Sequence, residues 1–205
     1  DAAAGGALAA QLARQLTVRM LAAYPVGALT VVVVDLAGRG AAAGSLEPLL
    51  SSGQGTLAPP VGTPAALRDL VERLVARVDL ARMAASAGLA DPAAGTGAAD
   101  RTLVVLHGFP FGLDERGLAG LWLLIEEGAP AGVDLLLVAD PADVAAAGPA
   151  ATAVWQAAYR LVPVPDDCMG DPWVGLVWTF DPDLAGADAP MVAALACLAG
   201  ARRPG

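Results

Sequence analysis

The sequence contains no lysine and no asparagine, and its positive charge comes from 12 arginines. Without lysine, the chain cannot form a Schiff base, use a lysine as a base, or supply the lysine of a P-loop. His107 is the single histidine, which excludes multi-histidine metal sites and histidine relays. The two cysteines, Cys168 and Cys197, provide neither zinc-finger spacing nor a disulfide framework. These absences exclude several classes of enzyme before any motif is considered.

The charge balance is acidic, with a formal net charge of −9. An acidic surface repels phosphate backbones, so direct nucleic-acid binding by this chain is disfavoured. No apolar run reaches the roughly 18 residues that a membrane helix needs, so we expect no membrane segment. Unpaired cysteines favour a reducing, cytoplasmic location. Because the chain starts at Asp1 without a methionine or a signal peptide, we expect a domain excised from a longer protein.

The apolar pattern alternates between helical and strand periodicity along the chain. It predicts helices over 7–23, 63–81, 114–128, 141–158 and 190–198, and strands over 28–34, 102–106, 133–138, 159–164 and 173–180. Three continuous apolar strands separated by helices are typical of a parallel sheet covered on both faces. We therefore predict an α/β fold, a three-layer αβα arrangement around a mainly parallel sheet.

Polar or small residues follow each of the first three predicted strands, where a functional site is expected. They are Asp35, the pair His107-Gly108, and Asp140. Right-handed crossovers place the carboxyl ends of parallel strands at one edge of the sheet, and ligands of open α/β sheets bind there. These four residues are the candidate site positions.

Two common catalytic motifs fail when their required parts are checked. The stretch from Leu103 to Pro110 looks like the oxyanion-loop region of an α/β-hydrolase. That fold needs a serine elbow and a later histidine, yet no serine follows Ser86 and no histidine follows His107. A Walker A loop is also absent, because that motif requires a lysine after its last glycine and the sequence contains no lysine.

Three stretches carry a resemblance to FtsK/SpoIIIE-type ATPase domains. Residues 18–35 are similar to the helix after the P-loop, a Pro-x-Gly turn and the next strand. Residues 101–110 are similar to the Walker B strand. Residues 126–138 are similar to the glycine-rich segment that leads into the strand before the sensor position. The resemblance covers roughly residues 10–145. It implies a RecA-like P-loop NTPase fold.

The resemblance also implies how the chain is organised. It makes 1–205 a single domain, with 1–27 as the helix that follows a missing first strand and P-loop. Residues 165–205 are then the C-terminal strand and helix.

The chain departs from this family where the chemistry of phosphoryl transfer takes place. The Walker B strand should end in Asp-Glu, which hold magnesium and position water, but here it ends in His107-Gly108. A neutral imidazole is a poor magnesium ligand, and glycine supplies no base. These departures predict a catalytically degenerate domain without a bound cofactor or metal.

Three functions follow from these observations. The first is a structural or protein-interaction module that packs against other domains or subunits of a translocase- or secretion-type assembly, or against further copies of itself. The alternative is a nucleotide-binding, DNA-translocase-like ATPase that uses ATP and magnesium and is completed by residues outside this chain. In that case Arg39 or Arg160 acts in trans on a neighbouring subunit. The third is an unrelated α/β enzyme with Asp35, His107 and Asp140 as acid–base groups.

Overall fold

A parallel sheet of three strands lies at the centre of the structure. In the computed structural model, residues 2–51, 56–89, 101–159, 162–164, 168–170, 177–179, 192–195 and 197 are described. The strands are β1 (Leu29–Asp35), β2 (Arg101–Phe109) and β3 (Val133–Ala139), hydrogen-bonded in the order β1-β2-β3. Both pairs are parallel. The predicted α/β class is confirmed, with a small sheet.

Helices cover both faces of this sheet, as continuous apolar strands require. One face packs against α3 (Pro64–Ser86), α4 (Glu115–Glu127) and α6 (Pro149–Ala157). The opposite face packs against α1 (Ala2–Ala23). Side chains alternate between the two cores along each strand, so that Val32 and Val34 lie in the first and Val31 and Val33 in the second.

Local capping explains where the helices of the first face begin. The Thr63 hydroxyl accepts a hydrogen bond from the Ala66 amide at 3.3 Å, and Pro64 occupies the first position of α3. The Asp114 carboxylate accepts from the Gly117 amide at 2.8 Å at the start of α4. Both starting points agree with the sequence prediction.

The helix predicted over 141–158 is wrong as a single element. The structure has two helices there, α5 (Pro141–Ala146) and α6, separated at Ala147 and Gly148. Gly148 has φ of 99°, outside the helical region, and Pro149 follows it. A proline disfavours the helical conformation of the residue before it, so this dipeptide ends one helix and starts the next.

The C-terminal region contributes a separate small sheet. Its strands β4 (Val162–Val164), β5 (Cys168–Gly170) and β6 (Val177–Thr179) pair antiparallel in that order. The strands predicted over 159–164 and 173–180 therefore exist in part but do not join the parallel sheet. Residues 192–195 and 197 are helical, within the predicted terminal helix, and the rest of these predictions lies outside the described residues.

The loop after β1 is more ordered than its composition predicts. It contains a 3₁₀ segment over Ala41–Leu46 and the short helix α2 (Glu47–Ser51). Leu57 and Val61 then form parallel bridges to Val31 and Val34, along the outer edge of β1. Across the part of the chain that the structure describes, no helix has both the length and the apolar character needed to cross a membrane.

Leu121 tests how much the core between α4 and the sheet stabilises the fold. Its side chain is 1% exposed, so Leu121→Ala removes buried methyl groups and leaves a cavity. We expect the free energy of unfolding to fall by about 2–5 kcal/mol in urea denaturation.

Leu80→Ala is the matched control, because Leu80 is 66% exposed. We expect this change to alter the free energy of unfolding by less than about 0.5 kcal/mol. Similar losses in the two variants would contradict the packing described for this face.

Candidate functional site

The predicted strand-end residues meet at one edge of the sheet. Asp35 pairs in register with His107, and Asp140 directly follows β3. Asp35 and His107 also continue the alternation of Val33 and Val105, so their side chains belong to the α1 face of the sheet. The structure therefore brings Asp35 and His107 together.

The Asp35 carboxylate is committed to the loop that follows β1. Its Oδ1 accepts a hydrogen bond from the Gly38 amide at 2.7 Å, and its Oδ2 accepts from the Ala42 amide at 3.0 Å. The residue is 8% exposed. A side chain at Gly38 would collide with this carboxylate, so the glycine is required by close approach. Asp35 thus organises the turn that follows β1.

Asp140 also has a structural role. Its Oδ1 accepts from the Ala142 amide at 2.8 Å, which caps α5. Asp35 is the carboxylate whose negative charge acts on the pKa of His107. Throughout the described ranges, no three His, Cys, Asp or Glu side chains are grouped in a way that could hold a metal ion.

Of the two arginines proposed to act in trans, the structure describes Arg39. Arg39 is exposed on the loop after β1 and has φ of 52°, which is uncommon for a residue with a side chain. Its backbone lies against Gly62, where a Cβ would come within 3.1 Å of the Arg39 carbonyl carbon. Arg160 lies outside the described residues.

Gly108 forms a bulge at the end of β2. It has φ of 70°, and the pairing of β2 with β3 shifts register between His107 and Phe109. The extra residue turns Phe109 onto the same face as Leu106, where it is fully buried and stacks on Trp155 with a ring-centroid distance of 6.2 Å. The glycine therefore directs an aromatic side chain into the core below α6.

His107 is partly buried, and its environment favours the neutral imidazole. Burial lowers the pKa of His107 from its ordinary value of 6.5, and the nearby negative charge of Asp35 opposes this with a smaller, raising effect. The side chain of His107 has no hydrogen bond to another described residue, and the Asp35 oxygens accept from the Gly38 and Ala42 amides. The ring is thus left to interact with whatever enters the space beside it.

That space is a pocket between α1 and the sheet, here named the α1 pocket. Its volume is about 480 Å³, within the range of cavities that bind small molecules. Its polar lining residues are Gln11, Arg14, Thr17 and His107, and its other lining residues are Ala10, Val33, Ala41, Ala42, Leu46 and Val105. His107, at the carboxyl end of β2, is one of the pocket's lining residues.

Sequence reasoning found His107 but missed the part of this pocket that α1 contributes. The Nε2 atoms of Gln11 and Gln15 are buried without a hydrogen-bond partner, and Gln11 lines the pocket. The available signal was two glutamines one helical turn apart among apolar residues of α1. A buried polar side chain on an otherwise apolar helix face indicates a partner or a ligand.

Comparisons with known proteins do not identify the chain. No family model matches it, and no curated protein and no solved structure matches it either. The resemblance to FtsK/SpoIIIE-type domains therefore stays a prediction from the sequence.

The role of Asp35 in the loop can be tested by Asp35→Ala. The variant leaves the Gly38 and Ala42 amides without their acceptor, so we expect the free energy of unfolding to fall by about 1–3 kcal/mol in denaturant titrations. Asp69→Ala, on the exposed face of α3, is the control and should be nearly neutral. An equally small effect of both variants would show that the turn does not depend on the carboxylate.

The protonation of His107 can be followed directly, since no other histidine contributes signals. We expect its ring resonances to titrate in proton NMR with a midpoint below 6.5, because burial lowers the pKa of His107. The unfolded chain then binds the proton more readily than the folded chain. Stability should therefore decrease as the pH falls from 6.5 toward the folded-state pKa.

The matched variant His107→Gln should lack this part of the pH dependence. Denaturant titrations between about pH 7.5 and 5 measure the difference in slope between the two proteins. A midpoint at or above 6.5, or identical slopes in both proteins, would contradict the described environment of the ring.

Proposed function

We propose that the chain is a catalytically degenerate FtsK/SpoIIIE-like ATPase domain of the RecA-like type. It acts as a structural or protein-interaction module in a larger translocase- or secretion-type assembly. The parallel sheet β1-β2-β3 supports this proposal, because the resemblance expects a strand in each of these three parts of the chain. A cytoplasmic location remains a prediction that goes with it.

The position of α1 gives topological support. Crossovers between parallel strands are right-handed, so the face on which a crossover helix lies fixes the direction in which the chain moves across the sheet. The helices α3 and α4 lie on one face, and their crossovers move from β1 toward β3. A crossover through α1, on the opposite face, has to move in the opposite direction before it enters β1. A parallel strand preceding α1 would therefore lie beside β3. The resemblance implies such a strand, followed by a P-loop.

The observation that carries the proposal is the end of β2. Phosphoryl transfer in this class of protein needs an aspartate for magnesium and a residue that orients the attacking water. By the resemblance, His107 and Gly108 stand at these positions. Moreover, Gly108 has φ of 70°, a conformation that L-residues adopt rarely, so an acidic side chain there would also strain the backbone.

The neighbouring carboxylates do not replace the missing pair. Magnesium prefers oxygen ligands in octahedral geometry, and Asp35 and Asp140 are the acids closest to the strand ends. Both of Asp35's oxygens and one of Asp140's accept backbone hydrogen bonds. These hydrogen bonds support the proposal that the edge does not hold magnesium-bound ATP.

The preserved framework supports a role in packing and contact. Both cores are intact, so the domain keeps its shape without the chemistry of the family. Leu80 and Met83 lie about one turn apart on α3, and each side chain is 66% exposed. Exposed apolar side chains mark protein contacts where they form part of a larger contiguous patch. Other domains, other subunits or further copies of this chain are the partners that this proposal requires.

Nucleotide binding and hydrolysis test the proposal. We expect no heat of binding when the protein is titrated with millimolar ATP and magnesium in a calorimeter. We also expect no ATP hydrolysis above background, and the same background for His107→Ala, because no described residue supplies the acid pair. Magnesium-dependent hydrolysis that His107→Ala abolishes would overturn the proposal. That result would favour the DNA-translocase-like ATPase.

A further inference from the structure

The wall of the α1 pocket contains an uncharged hydrogen-bond donor that no described residue satisfies. The Nε2 atom of Gln11 is buried and has no hydrogen-bond partner. Native proteins satisfy most buried polar groups with protein, water or a ligand. The terminal torsion of a glutamine side chain is broad, so the amide can turn its nitrogen toward a molecule in the pocket. A carbonyl oxygen there would supply the acceptor that this nitrogen lacks.

His107 is a second uncharged group of the lining with hydrogen-bonding capacity to spare. Its side chain has no hydrogen bond to another described residue. Because burial lowers the pKa of His107 from 6.5, the imidazole is mostly neutral at neutral pH. A neutral imidazole donates through one ring nitrogen and accepts through the other. It can therefore pair with an N–H or with an acceptor of a ligand.

The other polar residues of the lining already have partners. The Thr17 hydroxyl donates to the Ala13 carbonyl at 2.7 Å, and Arg14 has an interaction of its own. The groups left to recognise a ligand, Gln11 and His107, are both uncharged. The remaining walls are alanine, valine and leucine. Burial of an ionised group against apolar walls costs free energy, so we expect an uncharged ligand.

We propose that the α1 pocket binds a small uncharged carboxamide with a compact apolar body. Its carbonyl oxygen accepts from the Gln11 amide, its N–H pairs with the His107 ring, and its apolar body lies against Val33, Val105 and Leu46. The pocket volume of about 480 Å³ is sufficient for such a molecule. This binding site goes beyond the packing role proposed above and does not depend on it.

The single histidine provides the readout. Benzamide and butyramide are titrated separately into the purified protein at constant ionic strength and about pH 7.5, where the ring is neutral. The His107 Hε1 resonance is followed by proton NMR. We expect a saturable shift with at least one of the two amides at millimolar concentration.

Matched probes separate the sources of affinity. Benzoate and butyrate have the shapes of the two amides but carry a negative charge, and toluene has the apolar body of benzamide without its amide. We expect the carboxylates and toluene to bind at least about tenfold more weakly than the better amide. A factor of this size corresponds to the net contribution of one or two hydrogen bonds.

Matched glutamine variants locate the effect. Gln11→Leu removes the donor at similar side-chain size and should weaken amide binding about tenfold, while the weak binding of toluene stays the same. Gln156→Leu makes the same change at an exposed position of α6 and should leave amide binding unchanged. Ala10→Leu fills the pocket from α1 with a good helix former and should abolish the shift. This variant decides the case in which Gln11→Leu does not fold.

Several results would overturn the inference. They are the absence of a saturable shift with both amides, equally tight binding of the carboxylates or of toluene, and unchanged amide affinity in a folded Gln11→Leu or Ala10→Leu protein. ATP takes no part in these titrations. Nucleotide hydrolysis would therefore refute the proposed function while leaving amide binding standing, and the absence of amide binding would leave the proposed function untouched.

Discussion

The pairing of β2 with a parallel strand on each side is the constraint on which the rest of the structure depends. Because this parallel sheet is covered by helices on both faces, the side chains of β2 between Leu103 and Leu106 are apolar on both faces. This produces two cores, which α1 covers on one side and α3, α4 and α6 on the other. It also brings the ends of the strands to one edge, where Asp35 and His107 become neighbours.

Much of this architecture follows from the sequence, because its signals are local. Continuous valine and leucine runs predict the three strands, and Thr63 and Asp114 mark the starts of α3 and α4. The dipeptide Gly148-Pro149 is a sequence signal for a break, but the alanine-rich composition on both sides favours one continuous helix. The pairing of β4–β6 depends on contacts between strands that periodicity does not encode.

The site was predicted less completely, for a physical reason. A sequence pattern places Asp35 and His107 at strand ends, but it does not show which atoms already have partners. Asp35 is occupied by two backbone amides, whereas Gln11 is buried on α1 without a partner. Whether a polar side chain already has a hydrogen-bond partner depends on three-dimensional contacts. The sequence therefore draws attention to Asp35, whereas the structure draws attention to Gln11.

The bulge at Gly108 restricts which residues the end of β2 accepts. The positive φ of Gly108 and the register shift that seats Phe109 against Trp155 belong to one local arrangement. A residue with a side chain at 108 would be strained in this conformation. A buried aromatic ring thus limits the substitutions that evolution can make at the exposed position before it.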